Sequence, residues 1–407
     1  MNDLSTATTA AVMKQPTRPR AALPALCLTQ ITSWGIVYYA FPVLNPQITA
    51  ATGWSPAATT AAFSAALLVS AVAGIRIGRI LDTRGPRMVM TTGSVIGTVS
   101  LVVIATAPNL AVFTAGWLLA GLAMASTFYQ PAFAALTRWW APGHIRALTT
   151  VTLAGGLAST VFAPLTAQLA GHFSWRHTYL ILAAILAVVT VPAHAFALRG
   201  PWPPAPPPVT TGVPATTAAI TRSRPFLLLA TALTLSAFAM YAVVITLVPL
   251  LLDRGYTAAQ AAWALGLGGA GQTLGRTLYA TLSRRTSPAL RATLLISLGG
   301  ATTAAFALVP GPYPLLAVLA VIAGTVRGNL TLLQATAVTD RWGANRYGRL
   351  SGILAAPMTT ASALAPFAGT ALAVPLGGYP SLFIVLTLVS ATAALVAWHT
   401  TPTGRTT

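Results

Sequence analysis

The chain of 407 residues contains no glutamate and only four acidic residues, Asp3, Asp82, Asp253 and Asp340. Charged residues of both signs amount to 7% of it, where a soluble domain carries about a quarter. A soluble globular protein is thereby excluded. Cys27 is the only cysteine, so no disulfide closes within the chain. No Gly-rich phosphate-binding loop occurs, which argues against ATP hydrolysis, and no nucleophile–base pair is visible. His144, His172, His177, His194 and His399 are not spaced as metal ligands. No cofactor, metal or enzymatic centre is expected.

What the chain has in abundance is apolar. Hydrophobic residues make up 55% of it and the mean hydropathy is +0.74, the composition of an integral membrane protein whose partner is the lipid bilayer. The net charge of +19 is dispersed as short clusters between apolar runs. It forms no basic stripe with interleaved aromatics, so no nucleic-acid partner is expected.

Runs of about twenty apolar residues each span a bilayer as a helix. They lie near 21–44, 57–79, 88–107, 111–137, 147–170 and 178–198, then near 226–251, 258–280, 292–309, 313–337, 350–373 and 379–399. The first is too long for a signal-peptide core and reads as a retained helix. Between the two sets lies a stretch with seven prolines within 201–214, which favours an extended linker. The expected division is a tail over 1–20, a six-helix bundle over 21–198, a linker over 199–225, a second bundle over 226–399 and a tail over 400–407. With the N-terminus cytoplasmic, 20 of the 23 basic residues, Arg276 among them, fall on cytoplasmic segments and helix ends. Arg176 and Arg254 fall outside and Arg327 falls within a helix. Both termini are therefore expected in the cytoplasm.

The halves repeat each other. Gly121, Arg138, Trp139 and Arg146 match Gly324, Arg341, Trp342 and Arg349 at a constant offset of 203. Ala163-Pro164 matches Ala365-Pro366, and Gly53-Trp54-Ser55 matches Gly255-Tyr256-Thr257, both at 202.

Between the second and third runs, Gly78 to Arg87 reads G-R-I-L-D-T-R-G-P-R, a charged loop of ten residues bracketed by glycine. Gly78 lets a neighbouring helix approach closely. Asp82 suits a helix N-terminus or the surrounding arginines. Arg79, Arg84 and Arg87 face anionic headgroups or the other half. A gating role stands beside a merely topogenic one. The stretch resembles the signature loop of the major facilitator superfamily, with Gly78, Asp82, Gly85 and Arg87 on the signature's positions. Thr83 stands where arginine is usual, and Arg84 takes over its charge. The Asp-x-x-Gly-Pro-Arg ending is similar to that of monocarboxylate-type and related bacterial porters. The resemblance implies an all-α membrane protein of twelve transmembrane helices in two pseudo-symmetric six-helix bundles. It also implies alternating access, a monomer, and a place in the cytoplasmic (inner or plasma) membrane.

Arg327 is the first candidate for chemistry. It sits about mid-membrane in the tenth run, where a cation costs roughly 2.5–3.5 kcal/mol on insertion scales and usually faces a cavity. Its repeat-equivalent is Met124, so the fold does not demand an arginine there. No carboxylate lies at mid-membrane depth in any run. A counter-charge for an anionic substrate and an arginine satisfied by backbone carbonyls both remain open. Gln30, Trp34, Tyr38 and Asn45 recur every one or two turns along the first run, and Tyr129 and Gln130 precede Pro131 in the fourth. Tyr241 lies in the seventh run, and Asn329 and Gln334 in the tenth. The resemblance makes these substrate contacts, because the first, fourth, seventh and tenth helices of the family line its cavity. Packing is the alternative for each.

The leading expectation is a secondary transporter of a small organic solute, an organic anion such as a monocarboxylate. Three couplings stay open: a proton carried on the substrate, exchange, or titration of His194. The alternative is multidrug or antibiotic efflux. Against it, the place of the exporters' helix-4 arginine is Trp117, and Ala163 precedes Pro164 where they carry Gly-Pro. A transporter-like solute sensor would want a larger cytoplasmic domain.

Overall fold

The structure is a computed structural model that describes residues 18–140, 144–202, 219–342 and 347–400. Most of the expected tails and residues 203–218 of the expected linker lie outside the described residues, as do Asp3, Lys14, Arg346 and Arg405. The described chain is helical throughout, without a strand. Helix α1 comprises Ala22–Ser33, a π-helical stretch Trp34–Tyr39, and Ala40–Thr52. Helices α2 and α3 are Pro56–Arg84 and Pro86–Thr106. Helix α4 is Leu110–Thr127 continued by Tyr129–Trp139, and α5 is His144–Gly156 continued by Ala158–His172. Helix α6 is Trp175–Pro192 with a π-helical end, Ala193–Ala197. In the second half, α7 is Arg224–Asp253, α8 Ala258–Arg285, α9 Pro288–Leu308, α10 Tyr313–Thr336, α11 Tyr347–Ala373 and α12 Tyr379–Trp398.

The helix starts follow from local chemistry. Ser55, Asn109, Ser174 and Ser287 each accept a main-chain N–H of the first turn through the side-chain oxygen. Thr257 and Gln260 form a reciprocal capping box at the start of α8. Proline occupies the first position of α2 and α9, where its missing N–H costs nothing.

All twelve expected helices are present, and ten are long and apolar enough to cross a membrane. The exceptions are α1, whose apolar run is diluted by polar and aromatic residues such as Gln30, Trp34 and Tyr38, and α8, whose apolar content is diluted by five glycines and several polar residues. The expected ten-residue loop is corrected. Gly78 to Arg84 continue α2, and the turn into α3 is Gly85 alone, at φ 77°, a conformation that favours glycine.

Consecutive helices alternate in direction, so one end of the molecule gathers the α2–α3, α8–α9 and α10–α11 connections and most of the arginines. The first half is centred on aromatic packing: Phe41 stacks on Phe63 at 4.6 Å, and both meet the edge of fully buried Trp117. In the second half α8 and α10 cross at backbone contact. A Cβ at Gly324 would overlap the Gly268 carbonyl, and one at Gly271 would overlap that of Val321.

The halves meet along α5 and α8 and at the α2–α11 crossing. Thr160 Oγ1 donates to the Gly266 carbonyl at 2.8 Å, and the Phe367 amide donates to Ser64 Oγ at 3.1 Å. Helix α2 is buried on its inner face from Thr59 to Ala66, then has no buried residue until Leu81. Helix α11 is exposed on nearly every face from Gly352 to Thr360. The two helices are therefore parted toward the arginine-rich end, and the central cavity opens between them there.

Candidate functional site

The π-helical stretch of α1 carries the aromatic residues of the site. Widening the turn re-aims side chains, and Gly35 within it admits the Phe162 ring of α5, which any Cβ would overlap. Trp34 stacks on Phe128 at 4.0 Å and lies tilted against Tyr38 and Tyr129 at 5.5 and 5.3 Å. Phe128 interrupts α4 with extended backbone, which turns Tyr129 and Gln130 inward.

The cavity has two adjoining lobes that share Trp34, Tyr38, Tyr129 and Tyr241. The larger, about 310 Å³, continues between Ser70 and Ala71 of α2 and Thr359 and Ser362 of α11. The smaller, about 120 Å³, is lined also by Tyr39, Gln272, Arg276, Arg327 and Thr331. The volumes suit a small organic molecule, near the lower limit of ligand pockets.

Two guanidinium groups therefore face one chamber. Arg276 on α8 donates through Nη1 to the Thr152 carbonyl of α5, across the boundary between the halves, and its Nε has no partner. Arg327 on α10 has Nε and Nη2 buried without an acceptor. No aspartate lines either lobe among the described residues. Asp82 pairs with Arg138 and Asp340 with Arg291, while Asp253 ends α7. Cationic and aromatic side chains line the same chamber.

Of the expected contacts, Arg327, Trp34, Tyr38, Tyr129, Gln130 and Tyr241 line the cavity. The others lie apart from its lining. Gln30 is fully buried and donates to the Thr127 carbonyl at 2.7 Å, tying α1 to α4. Asn329 donates to the Thr325 carbonyl at 2.9 Å where α10 crosses α8. Asn45 and Gln334 are absent from both lobes. His194 is buried between α3 and α6, with Nδ1 2.8 Å from Ser94 Oγ, and does not face the cavity.

Arg276 was expected at a cytoplasmic helix end and is corrected. Its run ends near residue 280 in the sequence, but α8 continues to Arg285. Nine further residues at 1.5 Å each set Arg276 about 14 Å inside the helix end. Gln272, one turn earlier on the same face, was the sequence signal for a polar stripe there.

The signature residues serve the first half itself. Asp82 pairs with Arg138 of α4, and its carbonyl accepts the Trp202 indole N–H at 3.1 Å. Trp202 covers Gly85 and lies under Arg138, 4.5 Å from ring centroid to guanidinium carbon. Arg87 Nε donates to the Ala195 carbonyl of α6 at 2.8 Å rather than to the other half. Arg84 is exposed. A Cβ at Gly78 would meet nothing within 4 Å, so no helix approaches closely there in this conformation.

Comparison with known proteins places this architecture. The chain is 30% identical over 205 residues to bovine (Bos taurus) monocarboxylate transporter 13, an alignment spanning 50% of the chain and 47% of that protein. It is 27% identical over 309 residues to monocarboxylate transporter 13 of Rattus norvegicus, covering 70% and 69%. The chain thus spans about half the length of the first relative. Among solved structures, a bacterial homologue of the lysosomal transporter Spinster in an inward-facing, occupied conformation superposes with a TM-score of 0.76 at 15% identity, covering 93% of this chain and 96% of that one. The nucleoside transporter NupG superposes with a TM-score of 0.76 at 14% identity, covering 94% and 99%. The sequence profile described as Major Facilitator Superfamily matches residues 26–353. With two six-helix halves around a central cavity, the chain belongs to the major facilitator superfamily and is a multi-pass membrane protein.

Proposed function

We propose that this protein is a secondary transporter of small organic anions, monocarboxylates foremost, working by alternating access. The observation that carries the reading is the pair Arg276 and Arg327 in one carboxylate-free chamber. A carboxylate supplies the acceptors that their N–H groups lack, and charge-assisted bonds to it are about twice as strong as neutral ones. The aromatic wall of Trp34, Tyr38 and Tyr129 takes the organic body. The bovine and rat relatives are named as monocarboxylate transporters, which supports carboxylates as the class.

The arginine-rich end is the cytoplasmic one by the distribution of basic residues, which makes the present conformation inward-open and both termini cytoplasmic. The bilayer is the cytoplasmic membrane. A monomer suffices, because both walls of the cavity come from one chain. A second reading, export of acidic planar drugs, draws on the same aromatic wall. Fully buried Trp117, packed against Phe41 and Phe63, is part of the core and offers no drug contact.

A thermal-shift series on purified protein tests the assignment. Small carboxylates at about 100 times Kd stabilise by about 2.7 kcal/mol. Stabilisation by carboxylates that Arg327→Ala abolishes and Arg276→Gln reduces is the expected result. Stabilisation of wild type and variants alike by lipophilic cations, with none from carboxylates, overturns it.

A further inference from the structure

From the charges facing the cavity we infer that this carrier is an obligate anion exchanger, which crosses between its conformations when loaded and is held back when empty. The inference rests on the anion-binding reading above.

The starting point is the set of ionisable groups at the chamber. Helices α8 and α10 supply Arg276 and Arg327, and α1, α4 and α7 supply only Tyr38, Tyr39, Tyr129 and Tyr241. The lining residues of α2, α5 and α11 include no ionisable group. Tyrosine and arginine both keep their protons through neutral pH. His194 faces Ser94 inside the first half, and His144, His172, His177 and His399 stand at helix ends. No described group at the cavity can therefore take up a proton with the substrate or cancel the two cations in its absence.

Closing the cavity requires both ends to seal at once. In the open state the chamber's water still solvates the guanidinium groups in part, Arg327 being half-buried with its Nε and Nη2 already shut away from water. Occlusion without an anion strands them, and the effective penalty for each unpaired buried ion is several kcal/mol. Arg276 retains the Thr152 carbonyl, whereas the buried Nε and Nη2 of Arg327 have no acceptor. The anion is the acceptor that Arg327 lacks. A loaded carrier crosses with Arg327 paired and Arg276 held by the Thr152 carbonyl, releases, and must pick up another anion to return. A proton gradient gives such a cycle no direct push.

The test uses the full chain in liposomes, with radiolabelled pyruvate, benzoate and succinate as probes. Uptake is compared between vesicles preloaded with the same unlabelled acid and empty vesicles, with and without an inwardly directed proton gradient. The expected result is about ten-fold or faster uptake into preloaded vesicles, equivalent to roughly 1.4 kcal/mol more barrier for the empty carrier. The proton gradient should add nothing beyond its effect on protein-free vesicles. Equal uptake into empty vesicles, or uptake driven by the proton gradient, overturns exchange while leaving anion transport intact. Absence of uptake together with absence of thermal stabilisation by all three acids overturns the anion reading itself, and exchange with it.

Arg327→Gln supplies a second readout. Removing the unpaired cation should lower the rate overall but bring the preloaded-to-empty ratio down toward one. A ratio unchanged from wild type removes Arg327 as the source of the barrier.

Discussion

The Arg276 guanidinium on α8 donates to the Thr152 main-chain carbonyl on α5, so a single side chain both lines the cavity and ties the halves together. A hydrogen bond to a charged group contributes about 1.5–3 kcal/mol. On the proposed function, an anion bound at Arg276 would compete for the same donors and so couple binding to movement of the halves through one residue.

Arg276→Gln is expected to weaken carboxylate binding about ten-fold or more, the equivalent of losing one such bond. Arg276→Lys should fall between, because it keeps the charge and loses the planar fork that matches a carboxylate. Isothermal titration with a carboxylate that stabilises wild type measures both. Unchanged affinity in Arg276→Gln would reduce the residue to a structural tie.

The two ion pairs at the arginine-rich end should differ in their worth. Arg291 is 3% exposed and also donates to the Ser283 and Thr286 carbonyls, whereas the Asp82 side chain paired with Arg138 is 57% exposed. Asp340→Ala leaves a buried guanidinium uncompensated, a loss of about 3–5 kcal/mol in such settings. Asp82→Ala removes a pair whose carboxylate lies open to water although Arg138 is 11% exposed, and it should cost less than Asp340→Ala. Thermal unfolding in detergent should rank them in that order, and equal losses would refute the ranking.

Much of this was legible in the sequence, for physical reasons. Twelve apolar runs follow from what a bilayer demands of a chain, the offset of 203 between Gly121 and Gly324 reveals the repeat, and Arg327 stands out because it breaks the apolar rule. The lining of the candidate cavity was legible where an unusual residue interrupts an apolar run. Arg276 escaped because α8 is low in hydropathy and its true end lies beyond the apolar run, so a cavity arginine looked like a helix-end anchor. Gln30 and Asn329 escaped in the opposite sense. Both sit on the expected helices, but their amides satisfy neighbouring carbonyls, and helix rotation is not fixed by spacing alone. Likewise the signature stretch gave no hint that α2 extends through Asp82 and turns on Gly85.

Gly324 and Gly78 are expected to respond oppositely to the same substitution. A Cβ at Gly324 overlaps the Gly268 backbone, so Gly324→Ala must push α10 off α8, and overpacking of this kind costs about 1–3 kcal/mol. Gly78→Ala meets open space in this conformation and should leave stability within about 0.5 kcal/mol of wild type. If Gly78→Ala nevertheless impairs transport, the glycine is needed in the other conformation, where a helix must close on α2. Parallel melting curves and vesicle uptake separate the two effects.

The α2–α11 contact gives a direct handle on alternation. Ser64 Oγ accepts the Phe367 amide at 3.1 Å, at the end of the cavity away from the opening between the same two helices. If the halves rock, this contact breaks whenever the cavity opens to the other side. Ser64→Cys with Phe367→Cys, in a Cys27→Ser background that removes the only native thiol, should cross-link under mild oxidation in the conformation described. The cross-linked protein should lose vesicle uptake, recover it on reduction, and still be stabilised by a carboxylate, since the chamber remains open at the arginine-rich end. Full transport by the cross-linked protein would show that the crossing at Ser64 and Phe367 stays shut throughout the cycle, and that opening runs through some other pair of helices.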